Sequence, residues 1–70
     1  MDEWFVLKIW KGVGKIYFLH LSGDVTVWVS DRKLASPLKI DWIGKNIGYI
    51  YLMEKPESIE ILLIKGKDYE

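Results

Sequence analysis

Apolar residues recur with a period of two in the first segment of this chain. In "EWFVLKIWK" (3–11), Phe5, Leu7 and Ile9 share one side of the segment, and the residues between them share the other. This alternation is typical of β-strands, and the chain is rich in the β-branched and aromatic residues that strands favour. The pattern predicts six strands, at 3–11, 16–21, 25–30, 38–43, 47–53 and 58–65.

The segments between these strands predict turns and one short helical turn. Asp31 can cap the start of a helical turn and Pro37 prevents its continuation, so we expect one near 31–36. "KGVGK" (11–15) and "EKPE" (54–57) predict loops between strands. Residues 66–70 predict a loose tail.

The order of these elements predicts an all-β fold. Seventy residues are enough for one small domain, which we expect to span 1–70. Five or six short antiparallel strands with tight turns favour a small barrel or a rolled sheet. Three strands, a short helical turn and further strands form an order that resembles the OB-fold or an SH3-like barrel. Such barrels carry many functions, so the resemblance implies a fold and no activity.

The hairpin "IYFLHLSGDVTVWVS" (16–30) has apolar side chains on both faces, and two registers are possible. A two-residue turn at Gly23 and Asp24 would mix polar and apolar residues on each face. A three-residue loop gives a purely apolar core face, and it is the register that consistent burial favours. That face would hold Tyr17, Leu19, Leu21, Val25, Val27 and Val29.

The three-residue loop also predicts a second, aromatic face. Its four large aromatics, at about 150–250 Å² each, amount to roughly 600–1,000 Å², more than the largest apolar patch of a typical monomer. We therefore expect a partner to cover a face made of Trp4, Val6, Lys8, Trp10, Phe18, His20, Thr26 and Trp28.

Three occupants of this face remain open. The first is a protein partner, most simply a second copy of the chain in a homodimer, because Trp and Tyr are enriched at interfaces. The second is single-stranded nucleic acid, whose bases stack on aromatic rings and whose phosphates would meet Lys11, Lys15 and Lys45. The third is an internal core made by rolling the sheet closed.

Composition favours association with another chain. A domain of this size needs additional support, and the chain has no cysteine and a single histidine, His20. Ten basic and ten acidic residues cancel, which argues against a dedicated duplex-DNA or membrane-surface binder. Between Lys8 and Lys45, however, seven basic residues stand against three acidic ones, a local charge of +4.

No motif predicts catalysis, a cofactor or a metal site. "GVGK" (12–15) lacks the Ser or Thr and the helix that follow a phosphate-binding loop. His20, Ser22 and Asp24 straddle one tight turn, where they cannot form a catalytic triad. We expect a non-enzymatic interaction module, with single-stranded nucleic-acid binding as the alternative function.

The expected location is the cytoplasm. No apolar run approaches the roughly 20 residues that span a bilayer, and "MDEW" is acidic where a signal peptide is basic. The absence of glutamine and the abundance of Ile, Lys and Glu resemble the composition of thermophile proteins.

Overall fold

The computed structural model describes residues 3–64, which form one antiparallel sheet, an α-helix and a 3₁₀ turn. The strands lie side by side in the order β3-β2-β1-β4. The elements are β1 (Trp4–Trp10), β2 (Ile16–Ser22), β3 (Val25–Val29), the 3₁₀ turn (Arg32–Leu34), α1 (Ile40–Glu54) and β4 (Ser58–Ile64).

The prediction of a mostly β chain is confirmed, but the number of strands is wrong. The described residues contain four strands instead of five or six, and the edge strands β3 and β4 do not pair with each other to close a barrel. The strands predicted at 3–11, 16–21 and 25–30 are present, and the last predicted strand is present over its described residues, Ser58–Ile64. The predicted tail, 66–70, lies outside the described residues.

The two strands predicted at 38–43 and 47–53 are wrong, because residues 40–43 and 47–53 belong to α1, while Leu38 forms only an isolated bridge with Phe5. Isoleucines at 40, 43, 47 and 50 recur at the spacing of a helix, and Ile43 and Ile50 are buried against the sheet. Lys55 ends the helix in the left-handed conformation, with φ of 51°, and its N–H donates to the Tyr51 carbonyl at 3.1 Å. Pro56 follows this cap, as is common after helix ends.

The three-residue loop predicted for the hairpin is also wrong. Leu19 lies opposite Trp28 and His20 opposite Val27, so Gly23 and Asp24 form a two-residue turn. Gly23 has φ of 62°, and a positive φ at the first turn position alone is the pattern of a type II′ turn. Apolar side chains pack on both faces of the hairpin. The criterion of one purely apolar face therefore selects the wrong register.

The short helical turn is confirmed as the 3₁₀ turn. Asp31 caps it, because its Oδ1 accepts from the Lys33 N–H at 2.9 Å. From Leu34, the last residue of the turn, the chain runs to Leu38 between the diverging ends of β1 and β2, whose pairing stops at Lys8 and Phe18. Leu38 exchanges two backbone hydrogen bonds with Phe5 of β1, and the Ser36 N–H donates to the Leu19 carbonyl of β2 at 2.9 Å. The chain thereby crosses from one side of the sheet to the other.

Each side of the sheet has its own apolar cluster. The helix side holds the larger one, made of Leu7, Ile9, Leu19, Leu38, Ile43 and Ile50. On the opposite side, called here the open side, Val6 and Phe18 pack against Ala35 of the crossing segment. Ala35 and Leu38, three residues apart, thus belong to different clusters.

Candidate interaction surfaces

The eight residues of the predicted partner face lie on both sides of the sheet. Six of them are on the open side: Trp4, Val6, Lys8, Trp10, Phe18 and His20. Thr26 and Trp28 are on the helix side, because the two-residue turn places them opposite Leu21 and Leu19. The structure therefore does not bring Trp28 together with the other predicted aromatics.

The chain itself covers the centre of the open side. Phe18 is 7% exposed and Val6 is almost fully buried, and both contact Ala35. For these two residues the arrangement corresponds to an internal core.

Hydrogen bonds hold the crossing segment, residues 34–38, in place. The His20 Nδ1 lies 2.7 Å from the Leu34 carbonyl oxygen, which can only accept, so the ring proton in this bond is on Nδ1. The Leu21 N–H donates to Ser36 Oγ at 2.7 Å. His20 therefore has a structural partner in the chain.

Trp4 and Trp10 remain on the open side as separate exposed side chains. They are 42% and 38% exposed and lie at opposite ends of β1. The Lys39 Nζ lies 4.2 Å from the centre of the Trp4 ring, a cation–π contact. Lys8, between the two tryptophans, forms an ion pair with Glu60 at 3.2 Å. The surface between the two tryptophan rings therefore consists of the Lys8–Glu60 ion pair and the buried Val6, so the rings do not form one aromatic patch.

The helix side contains an aromatic cleft between α1 and the β2–β3 hairpin. Its walls are Leu19, Thr26, Trp28, Trp42, Asn46, Tyr49, Ile50, Met53 and Glu54. The sequence prediction misses Trp42, Tyr49 and Met53 as site residues, because the composition of their segment predicts strands. Helical spacing would have placed all three on one flank of α1.

A second cleft adjoins the first through Trp28 and Glu54. It is lined by Lys11, Lys15 and Tyr17 together with these two shared residues. The Lys11 Nζ forms an ion pair with Glu54 at 3.2 Å, which reduces the positive charge of this region. Lys45 is exposed on α1 and lines neither cleft. The three predicted phosphate contacts thus do not form one cluster.

A third surface lies at the β4 edge of the helix side. Ile61 and Leu63 are exposed there, on the same side of the sheet as their partners Leu7 and Phe5. On α1, Ile40 and Tyr51 are also exposed. These four residues are called here the β4-edge strip.

The groups considered for chemistry are scattered. Across residues 3–64, no three His, Cys, Asp or Glu side chains gather in an arrangement that could hold a metal ion. "GVGK" lies in the turn that leads directly into β2, where the Lys15 N–H donates to the Gly12 carbonyl at 2.9 Å. None of the helices in this part of the chain combines the length and apolar character required to cross a membrane.

Comparison with protein-family models, curated proteins and solved structures finds no match to this chain.

Proposed function

We propose that this protein is a small non-enzymatic interaction module that self-associates. The observation that carries the proposal is the balance of exposed and buried apolar side chains. Within residues 3–64, fourteen large apolar side chains are exposed, whereas nine apolar residues are buried. Scattered exposed apolar residues are ordinary on a monomer, but here several are contiguous and a domain of this size has little core.

The exposed side chains of α1 also support self-association. Its second half reads "YIYLM" (49–53), in which four of the five side chains are exposed. A helix that is apolar on nearly all sides is usually buried. A second chain packed on this sheet and helix would remove much of that surface from water, and no disulfide is available as an alternative support.

Gel filtration with light scattering tests self-association. We expect a mass of at least twice the 8.2 kDa of one chain at micromolar concentrations, decreasing on dilution. Because apolar burial drives the contact, raising the salt concentration should leave the mass unchanged or increase it. A mass of one chain at every concentration would contradict the proposal.

Single-stranded nucleic-acid binding is the second candidate, favoured by the way the two clefts join at Trp28. A base stacked on Trp28 would place its phosphates toward Lys11 and Lys15. Two observations make this candidate weaker than self-association: Lys11 is paired with Glu54, and Lys45 lines neither cleft.

Tryptophan fluorescence, titrated with short oligonucleotides at low salt, tests the second candidate. Binding should quench the fluorescence and weaken linearly with the logarithm of the salt concentration. Lys15→Gln should reduce that slope by about one relative to the native chain, whereas Lys45→Gln, a matched change outside both clefts, should not. Unchanged fluorescence at tens of micromolar oligonucleotide would rule out stacking on Trp28.

A further inference from the structure

We infer that two copies of this chain join through β4, edge to edge, into one continuous antiparallel sheet. The inference rests on the proposed self-association and specifies its geometry. β4 is an edge strand of seven residues, and within residues 3–64 it pairs only with β1. Alternate backbone N–H and C=O groups of an edge strand point outward, where they can pair with another strand.

β4 lacks most of the features that block such pairing. Edge strands are usually protected by lysine, proline, bulges or short length. Ser58–Ile64 contains neither lysine nor proline, and its one charged residue, Glu60, is paired with Lys8. Its register with β1 runs without a bulge over all seven residues.

The register of the dimer follows from charge and length. A two-fold axis through Ile61 uses all seven residues and places Glu60 opposite the second copy's Leu62. An axis through Glu60 would place two carboxylates directly opposite each other, which is unfavourable. The axis through Ile61 also pairs Ile59 with Leu63 of the other copy, and it sets the two Ile61 side chains side by side on the helix side.

The β4-edge strip lies where this contact would extend. Trp42, Asn46, Tyr49 and Met53 face β3 across the aromatic cleft, so the opposite flank of α1, with Ile40 and Tyr51, faces β4. The four side chains of the strip are each 40–52% exposed. Together they offer roughly 300–400 Å² of side-chain surface, about half of the ~800 Å² per partner in a standard interface. The backbone edge and its polar neighbours would supply the rest.

β3 is the other edge strand, but it offers a shorter edge and less continuous apolar surface for a partner. It has five residues, and its exposed Val25 and Val27 lie on the open side of the sheet, away from the exposed residues of α1. On its helix side the aromatic cleft separates it from Tyr49. A partner at β3 would therefore meet no strip that continues from the sheet onto the helix.

Disulfide trapping tests the β4 contact directly, because the native chain has no cysteine. Residues opposite each other in antiparallel strands have Cα atoms about 4.5–5.5 Å apart, within the range that a disulfide bridges. Under mild oxidation, Ile61→Cys should form a covalent dimer that reductant dissociates. Val27→Cys is the matched control, because Val27 and Ile61 both lie on edge strands and are 39% and 40% exposed. The Val27→Cys variant should not form a covalent dimer.

A mixture of two single variants tests the register. Ile59→Cys and Leu63→Cys should cross-link to each other when mixed, and each should cross-link far less when alone. If Leu63→Cys dimerises alone as readily as Ile61→Cys, the proposed axis is wrong.

Charge substitution completes the test in solution. Ile61→Lys places two ammonium groups together at the axis, so the dissociation constant should rise at least tenfold, whereas Val27→Lys should leave it within twofold. A native chain that is monomeric overturns both the inference and the proposed self-association. A native dimer that tolerates Ile61→Lys, or that is trapped by Val27→Cys, overturns the β4 contact alone.

Discussion

Phe18→Ala tests whether the chain covers the open side of its own sheet. In the structure Phe18 is 7% exposed and packs against Val6 and Ala35, so the substitution creates a cavity inside one chain. Truncating a buried Phe to Ala costs about 3–5 kcal/mol. A chain of 70 residues typically has about 4–10 kcal/mol of stability, so the variant should lose a large share of it.

Urea denaturation followed by circular dichroism measures this loss. Ile16→Ala is the matched control, because Ile16 lies two residues away on the same face of β2 but is exposed. It should lose about 1 kcal/mol, since only part of its surface is buried. Both variants should be compared at one protein concentration, because association adds to apparent stability. If Phe18→Ala costs no more than Ile16→Ala, residues 34–38 do not cover Phe18 in solution.

Four further substitutions probe the hairpin and the crossing segment. Trp28→Glu should unfold the chain, because it places a carboxylate in the helix-side cluster. Val27→Glu changes a residue on the open side and should retain the native dichroism spectrum. The reverse result would show that the hairpin has the three-residue loop. Gly23→Ala should cost about 1 kcal/mol in urea denaturation because of its positive φ, and no loss would mean that the turn has another conformation. Ser36→Ala removes the acceptor for the Leu21 N–H and should cost about 1–3 kcal/mol, with faster amide exchange at Leu21; unchanged exchange would contradict that bond.

The strands could be predicted from the sequence because each is a short run rich in residues that favour strands. β1 and β4 have only one charged residue each, and turn residues mark their ends. The 3₁₀ turn was predictable for a similarly local reason, since the cap at Asp31 involves a residue two positions away. In both cases the signal lies within a few residues of the structure it predicts.

Helix α1 was missed because its composition favours a strand. Its sequence "IDWIGKNIGYIYLME" contains four isoleucines, two tyrosines and two glycines, all of which have poor helix propensity. Packing overrides that propensity, as the burial of Ile43 and Ile50 against the sheet indicates. The spacing of the isoleucines indicates a helix, but the residue types indicate a strand, and the prediction followed the residue types.

The candidate site depended on the hairpin register and was therefore only partly predictable. An error of one residue in the turn moves Thr26 and Trp28 to the other side of the sheet. The covering of Phe18 by Ala35 joins residues that are distant in sequence and leaves no local pattern. The aromatic cleft likewise requires both the helix and the correct register.

The pairing of β1 with β4 has a consequence for how the chain folds. These strands match over seven residues, from Trp4 with Ile64 to Trp10 with Ser58, and they are separated by nearly the whole described sequence. Closing a loop of about 50 residues costs roughly 3–4 kcal/mol of chain entropy, whereas the β2–β3 hairpin closes over two residues. During synthesis β1 leaves the ribosome long before its longest partner exists. The N-terminal half of the chain therefore cannot complete its sheet until β4 has been made, and until then the apolar side chains of β1 are available to chaperones or to other unfinished chains.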